Sequence, residues 1–161
     1  MKRLIILFIV FSQTIYSQYK INTQPEQVWV DSTYNSLTFE EKVGQLFMIA
    51  AYSNKKEDHV QDLDKLITKY KIGGLIFFQG GPNRQAKLTN RFQAKSKIPM
   101  LIGIDAEWGL SMRIDSTHSY PWNMTLGAIK DNSLLEKMGI QMADQSKRLG
   151  IHFTFGPVVD I

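Results

Sequence analysis

Residues 72–78 read Ile-Gly-Gly-Leu-Ile-Phe-Phe, and residues 99–104 read Pro-Met-Leu-Ile-Gly-Ile. Both runs are apolar along the length of a strand, whereas a strand with one solvated face alternates apolar and polar residues. Such runs are typical of parallel strands that are covered on both faces. Between them, Pro82 suits the first turn of a helix, which we expect to continue to about Lys95. The stretch therefore predicts a β-α-β unit.

The same alternation of strand and helix extends along most of the chain. Residues 47–51 and 151–155 have the composition of strands, and residues 59–70 and 132–149 have the apolar spacing of helices. Residues 38–41, Thr-Phe-Glu-Glu, form a capping box that begins a further short helix. The inward side of the last helix is expected to fill the core with Leu135, Met138, Met142 and Leu149. Repeated right-handed βαβ units predict an α/β fold, and periodicity leaves open a doubly wound sheet or a barrel.

The composition excludes several classes of protein. The 161 residues are 43% hydrophobic and 21% charged, and none is cysteine. A disordered tail and a disulfide-stapled miniprotein are therefore excluded, as is a zinc site made of cysteines. The three histidines have no metal-ligand spacing, and the Gly80-Gly81 pair lacks a Walker or dinucleotide fingerprint, so we interpret that pair as a turn. We expect neither a metal nor a cofactor.

The N-terminus has the layout of a secretory signal peptide. Lys2 and Arg3 precede the apolar run of residues 4–11, and small Ser17 is the expected cleavage point, which makes residues 1–17 the signal. The run is shorter than the roughly 20 apolar residues that span a membrane. We expect a secreted or periplasmic protein with no stable membrane insertion after cleavage. The 17 basic and 15 acidic residues that remain give a net charge of +2, which provides no reason to expect nucleic acid binding.

In parallel α/β folds, binding and catalytic residues lie at the carboxyl ends of the strands. Residues 79–81, Asp105 and Asp160 occupy such positions. The Asp105 carboxylate leaves a buried strand and needs a polar cavity or a partner. Arg113, eight residues later, could supply positive charge and several donors to a polyhydroxy ligand. Spacing leaves open the alternative that Asp105 caps a helix while Arg113 forms a surface salt bridge.

Four segments of the chain resemble the family 3 glycoside hydrolases, which cleave β-linked glucosides or N-acetylglucosaminides on a TIM barrel. They follow the family's order at residues 37–46, 72–76, 104–113 and 155–161. The resemblance runs from about residue 30 to the end and implies a carbohydrate substrate, with Asp105 and Arg113 as substrate-binding residues. It also implies retaining hydrolysis by the complete enzyme.

The resemblance places the nucleophilic aspartate and the acid/base histidine on later segments, so no catalytic residue is expected within the 161. Asp105 and Glu107 are therefore not assigned catalytic roles.

The choice of sugar depends on residues 105–113. In the N-acetylglucosaminidase branch this motif usually reads Asp-Gln-Glu-Gly-Gly-Arg-Val-x-Arg. The agreeing residues are Asp105, Glu107, Gly109 and Arg113, and the differing ones are Ala106, Trp108, Leu110 and Ser111. Ala106 is similar to the glucosidase branch, whereas the retained arginine spacing favours release of a terminal N-acetylglucosamine. The alternatives are a β-glucosidase of the same family and a short exported sugar-binding module without catalysis. The nearby aromatic residues could stack on a sugar face, although packing beneath the loop is the preferred interpretation: Trp108, Tyr120 and Trp122.

With this resemblance, the length of 161 residues indicates part of a barrel domain and not a complete one. A (β/α)₈ barrel takes about 250 residues, and only four strands are predicted here. We therefore expect residues 18–36 to be a linker and residues 37–161 to be the N-terminal half of a TIM barrel, truncated after about four strands. Half a barrel has an open sheet edge, so we expect this segment to be poorly stable and inactive by itself.

Overall fold

The computed structural model describes residues 25–157. The predicted signal peptide and the last segment, with Asp160, lie outside the described residues. The chain divides into two units, one ending at Ser36 and the other running from Leu37 to Ile161. The first unit contains helix α1, Glu26–Asn35, within the segment that we predicted as a linker. None of the helices within residues 25–157 is long and apolar enough to span a bilayer.

The second unit alternates helices with strands that form one sheet. Its elements are α2 (Phe39–Gly44), β1 (Met48–Tyr52), α3 (Glu57–Tyr70), β2 (Gly74–Gln79), α4 (Pro82–Lys95), β3 (Leu101–Ile104), a 3₁₀ turn (Leu110–Met112), α5 (Asn123–Gly127), α6 (Asn132–Arg148) and β4 (Phe153–Thr154). The strands are all parallel and lie in the order β1-β2-β3-β4. This arrangement confirms the predicted α/β class.

The two faces of the sheet differ in burial. One face packs against α3 and α4 and is fully buried at Leu75, Phe77, Ile102 and Ile104. On the opposite face Ile76 and Phe78 are half-buried, and Leu101 is 55% exposed. The continuously apolar runs thus identified the strands correctly, although the described residues cover only one face completely.

Two glycines set the start of β2. A Cβ on Gly44 would lie 1.8 Å from the Tyr70 carbonyl oxygen, and one on Gly73 would lie 2.1 Å from the Gln45 carbonyl oxygen. The Gly73 N–H donates to the Phe47 carbonyl at 3.1 Å. Because residue 73 is engaged in this close crossing, the strand begins at Gly74, two residues later than the apolar run predicted. The helix before this crossing begins with the predicted capping box, in which the Thr38 hydroxyl accepts from the Glu41 N–H.

The end of the described chain is less regular than predicted. β4 has two residues instead of the five expected. The Ile151 N–H donates to the Ser146 carbonyl at the end of α6, while the N–H groups of His152 and Phe155 still donate to carbonyls of β3. The predicted core role of Met138 and Met142 is wrong, since both are half-buried and α6 carries no fully buried residue. Met142 and both residues of β4 line a pocket of about 370 Å³, so this side of α6 borders open space.

A buried carboxylate joins α3 to α4. Asp64 is 9% exposed, and its Oδ2 accepts from Arg91 Nη2 and Lys95 Nζ, each at 2.6 Å. Burial raises the pKa of Asp64, but the bonds from Arg91 and Lys95 outweigh it and hold the pKa below its usual value. The carboxylate therefore stabilises the fold when it is ionised.

We expect Asp64→Asn to lower the free energy of unfolding by about 2 kcal/mol at pH 7, because two cations lose their charged acceptor. A carboxyl with a depressed pKa contributes stability above its unfolded pKa of about 3.9 and loses it as pH falls through the folded value. The gap between wild type and variant should thus narrow below about pH 4. Urea unfolding measured from pH 7 to pH 2 tests this.

Asp62→Asn is the matched control, since Asp62 lies on the same helix in an exposed pair with Lys65. It should change the unfolding free energy by less than about 0.5 kcal/mol. A gap for Asp64→Asn that persists unchanged below pH 4 would contradict the assignment.

Candidate functional site

The carboxyl ends of β2 and β3 place Phe78 and Asp105 side by side. The last paired residues of these strands are Phe77 and Ile104, both of which face the helices. Phe78 and Asp105 follow them, and because side chains alternate along a strand, both point to the opposite face of the sheet. The candidate site therefore lies on the less covered face.

A tight reversal brings Arg113 back to Asp105. Gly109 has φ +101°, and a Cβ there would lie 2.6 Å from the Tyr120 ring, so the turn requires glycine. The Ile114 N–H donates to the Leu110 carbonyl at 2.7 Å, and both of these side chains are 1% exposed. The two buried side chains anchor the loop on either side of Arg113.

Asp105 and Arg113 form an ion pair. Arg113 Nη2 donates to Asp105 Oδ2, and the side chains are 27% and 23% exposed for Arg113 and Asp105, respectively. The structure thus brings the two predicted residues together in a recessed position, and the salt-bridge partner of Arg113 is Asp105 itself. Arg113 Nε is buried without a hydrogen-bond partner within residues 25–157. The pair presents carboxylate acceptors and guanidinium donors to the same space.

Two aromatic residues next to this pair were missed by the sequence analysis. The Phe78 ring centroid lies 5.1 Å from Arg113 Cζ, and the Tyr52 ring stacks on Phe78 with centroids 5.9 Å apart and an interplanar angle of 26°. Each ring lies near the end of its strand, as Asp105 follows the end of β3. This shared position near the strand ends is the sequence signal that could have identified both rings.

The His59 side chain holds the backbone of Tyr52 through a hydrogen bond. Its Nε2 accepts from the Tyr52 N–H at 3.2 Å. Burial, followed by the charge of Lys55, lowers the pKa of His59, so the ring is neutral at pH 7 and can accept this bond. His152 has a comparable structural task, with Nδ1 accepting from the Ile102 N–H at 2.8 Å.

The turn after β2 holds the loop of Arg113. Gly80 has φ +126°, and a Cβ there would lie 1.8 Å from Ser53 Oγ. Its carbonyl accepts from the Asp115 N–H at 2.7 Å. Gly80 therefore acts as a turn residue that ties β2 to the loop after β3.

The remaining candidates are dispersed around this loop. Tyr120 is buried and donates to Gln141 Oε1 at 2.9 Å, as expected of packing under a loop. Trp108 is half-buried, whereas Trp122 is 70% exposed, so the expected packing is wrong for that residue. Glu107 is half-buried, and its Cα lies 3.4 Å from the position that a Cβ on Gly156 would take. No group of three or more acidic or histidine side chains suited to a metal occurs in the part of the chain that the structure describes.

Comparisons with known proteins show which enzymes this chain is similar to. A β-N-acetylglucosaminidase/β-glucosidase from Cellulomonas fimi is 27% identical over 83% of this chain and 23% of its own. β-Hexosaminidase A from Pseudoalteromonas piscicida is 33% identical over 62% of this chain and 19% of its own. The chain thus spans about a fifth of the length of these two curated relatives. The solved structure of the β-glucoside phosphorylase BglX bound to 2FGlc has a TM-score of 0.68 and 27% identity over 83% of this chain and 24% of that one.

The family profile described as "Glycosyl hydrolase family 3 N terminal domain" matches residues 38–161. The four parallel strands are similar to the first part of that domain, a TIM-barrel-like fold, as the resemblance in the sequence implied. The chain therefore belongs to glycosyl hydrolase family 3.

Proposed function

We propose that this chain supplies the sugar-binding part of a glycosidase that releases a non-reducing terminal β-linked N-acetylglucosamine. The observation that carries the proposal is the recessed ion pair of Asp105 and Arg113 at the carboxyl end of β3. Ionised acceptors and donors make stronger and more directional hydrogen bonds than neutral ones. A pair of opposite charges can therefore orient the hydroxyls of one sugar ring.

Bond cleavage is assigned to groups outside the described residues. Retaining hydrolysis needs a nucleophilic carboxylate and an acid/base group on either side of the glycosidic bond. Asp105 is engaged by Arg113, an arrangement that suits binding and orientation rather than nucleophilic attack. We therefore propose a binding role for Asp105 and expect the 161-residue chain to be inactive by itself.

The retained arginine spacing from Asp105 to Arg113 supports N-acetylglucosamine as the sugar. A β-glucosidase of the same family is the second candidate, favoured by Ala106 and by the similarity to the β-glucoside phosphorylase BglX. The Cellulomonas fimi relative carries both activities in its name. The two candidates differ in whether the site prefers an N-acetyl group or a hydroxyl at one position of the ring.

Calorimetric titration of the full-length protein separates these candidates. We expect N-acetylglucosamine to bind more tightly than glucose, with galactose as a control for the orientation of a single hydroxyl. Tighter binding of glucose would favour the β-glucosidase, and failure to bind any of the three sugars would contradict the proposal.

Asp105→Asn should weaken N-acetylglucosamine binding by about tenfold or more, because a charged acceptor is lost from a recessed position. Asp115→Asn is the matched control on the same loop, since the Asp115 side chain is 71% exposed and 3.8 Å from Arg84 Nη2. Titration of both variants should show the loss only for Asp105. Equal affinities in the two variants would remove Asp105 from the site.

We also propose that the protein is exported, on the basis of the basic start and apolar run of residues 1–17. Intact mass measurement of the protein from its native host should give the mass of a chain that begins at Gln18. A protein that retains Met1 to Ser17 would contradict export by this route.

A further inference from the structure

Four side chains at the ends of three adjacent strands form a series of contacts that ends at Asp105. Lys55 Nζ lies 3.8 Å from the centroid of the Tyr52 ring. Tyr52 stacks on Phe78, whose ring centroid lies 5.1 Å from Arg113 Cζ, and Arg113 pairs with Asp105. The series therefore connects the end of β1, through β2, to the carboxylate after β3.

Within this series the Phe78 ring constrains Arg113 where hydrogen bonds do not. The arginine has its Asp105 bond at Nη2, while its buried Nε has no hydrogen-bond partner among residues 25–157. The covalent attachment at Nε and one hydrogen bond at Nη2 hold two points of the planar guanidinium, and its plane can still rotate about the line that joins them. Guanidinium planes stack on aromatic faces, so the Phe78 ring provides a second contact that restricts this rotation.

The Phe78 ring is itself fixed from the side of β1. The pairing of β1 with β2 shifts between Ala51 and Tyr52, which places Tyr52 beside Gln79. The Tyr52 backbone N–H is held by His59 Nε2. Tyr52 thus has a defined place at the strand end, and its stacked ring limits the positions open to Phe78.

We propose that Phe78, supported by Tyr52, is a positioning residue for sugar binding that acts through Arg113. This inference rests on the proposed function of the Asp105–Arg113 pair. A binding group that is already oriented loses less conformational freedom when the ligand arrives, so the same hydrogen bonds give a higher affinity. Removal of the ring should leave Asp105 and Arg113 present but the guanidinium disordered.

The test compares Phe78→Leu with Phe78→Tyr in the full-length protein, with N-acetylglucosamine as the probe. Phe78→Leu should weaken binding about fivefold, whereas Phe78→Tyr, which retains the ring, should restore most of the affinity. The second readout is the Arg113 Nε–Hε resonance, assigned by its loss in Arg113→Lys. It should shift in Phe78→Leu towards the position of a free arginine and stay near its wild-type position in Phe78→Tyr.

Phe77→Leu is the matched control for loss of a ring, because Phe77 is the preceding residue of β2 and faces the helices. It should leave the Arg113 resonance in place even if stability falls. An unmoved resonance in Phe78→Leu, or a loss of affinity in Phe78→Tyr as large as in Phe78→Leu, would overturn the inference.

Failure of the proposed function gives a different result from failure of this inference. If the wild type bound none of the sugars, the proposed function would fail, and the inference that rests on it would fail as well. If the wild type bound N-acetylglucosamine, Asp105→Asn lost it and Phe78→Leu did not, the inference alone would fail.

Discussion

The parallel pairing of β2 with β3 is the constraint on which the candidate site depends. With Leu75 beside Ile102 and Phe77 beside Ile104, one set of side chains is buried against α3 and α4 and the alternate set faces the other way. A slip of one residue would turn Asp105 towards the apolar helical layer, where an ionised carboxylate without partners is costly. The apolar burial on one face therefore determines which polar groups reach the site on the other.

The loop after β3 uses the same principle to place Arg113. Leu110 and Ile114 are buried while Arg113 between them is not, so the apolar anchors determine where the guanidinium emerges. Gly109 permits the reversal, and the bond from the Asp115 N–H to the Gly80 carbonyl ties the loop to the neighbouring strand. Arg113 then pairs with Asp105 in a position that the backbone of the loop determines.

Features with a local cause were predictable from the sequence. The capping box at Thr38 and the helix from Pro82 to Lys95 follow from residues within a few positions of each other, and both are present as predicted. Features that depend on contacts between distant segments were not predictable in the same way. The shift in pairing beside Tyr52 and the stacking of Tyr52 on Phe78 join residues from different strands, and neither leaves a periodic pattern. The prediction that the methionines of α6 fill the core was wrong for a related reason. An apolar stripe in the sequence does not reveal whether another element covers it.

In the function that we propose, the ion pair of Asp105 and Arg113 binds one sugar ring. A crystal structure of the full-length protein with bound N-acetylglucosamine tests it most directly. We expect hydroxyls of the sugar to lie within hydrogen-bond distance of the Asp105 carboxylate and the Arg113 guanidinium, above the Phe78 ring. A sugar bound elsewhere, with Asp105 and Arg113 paired only to each other, would contradict it.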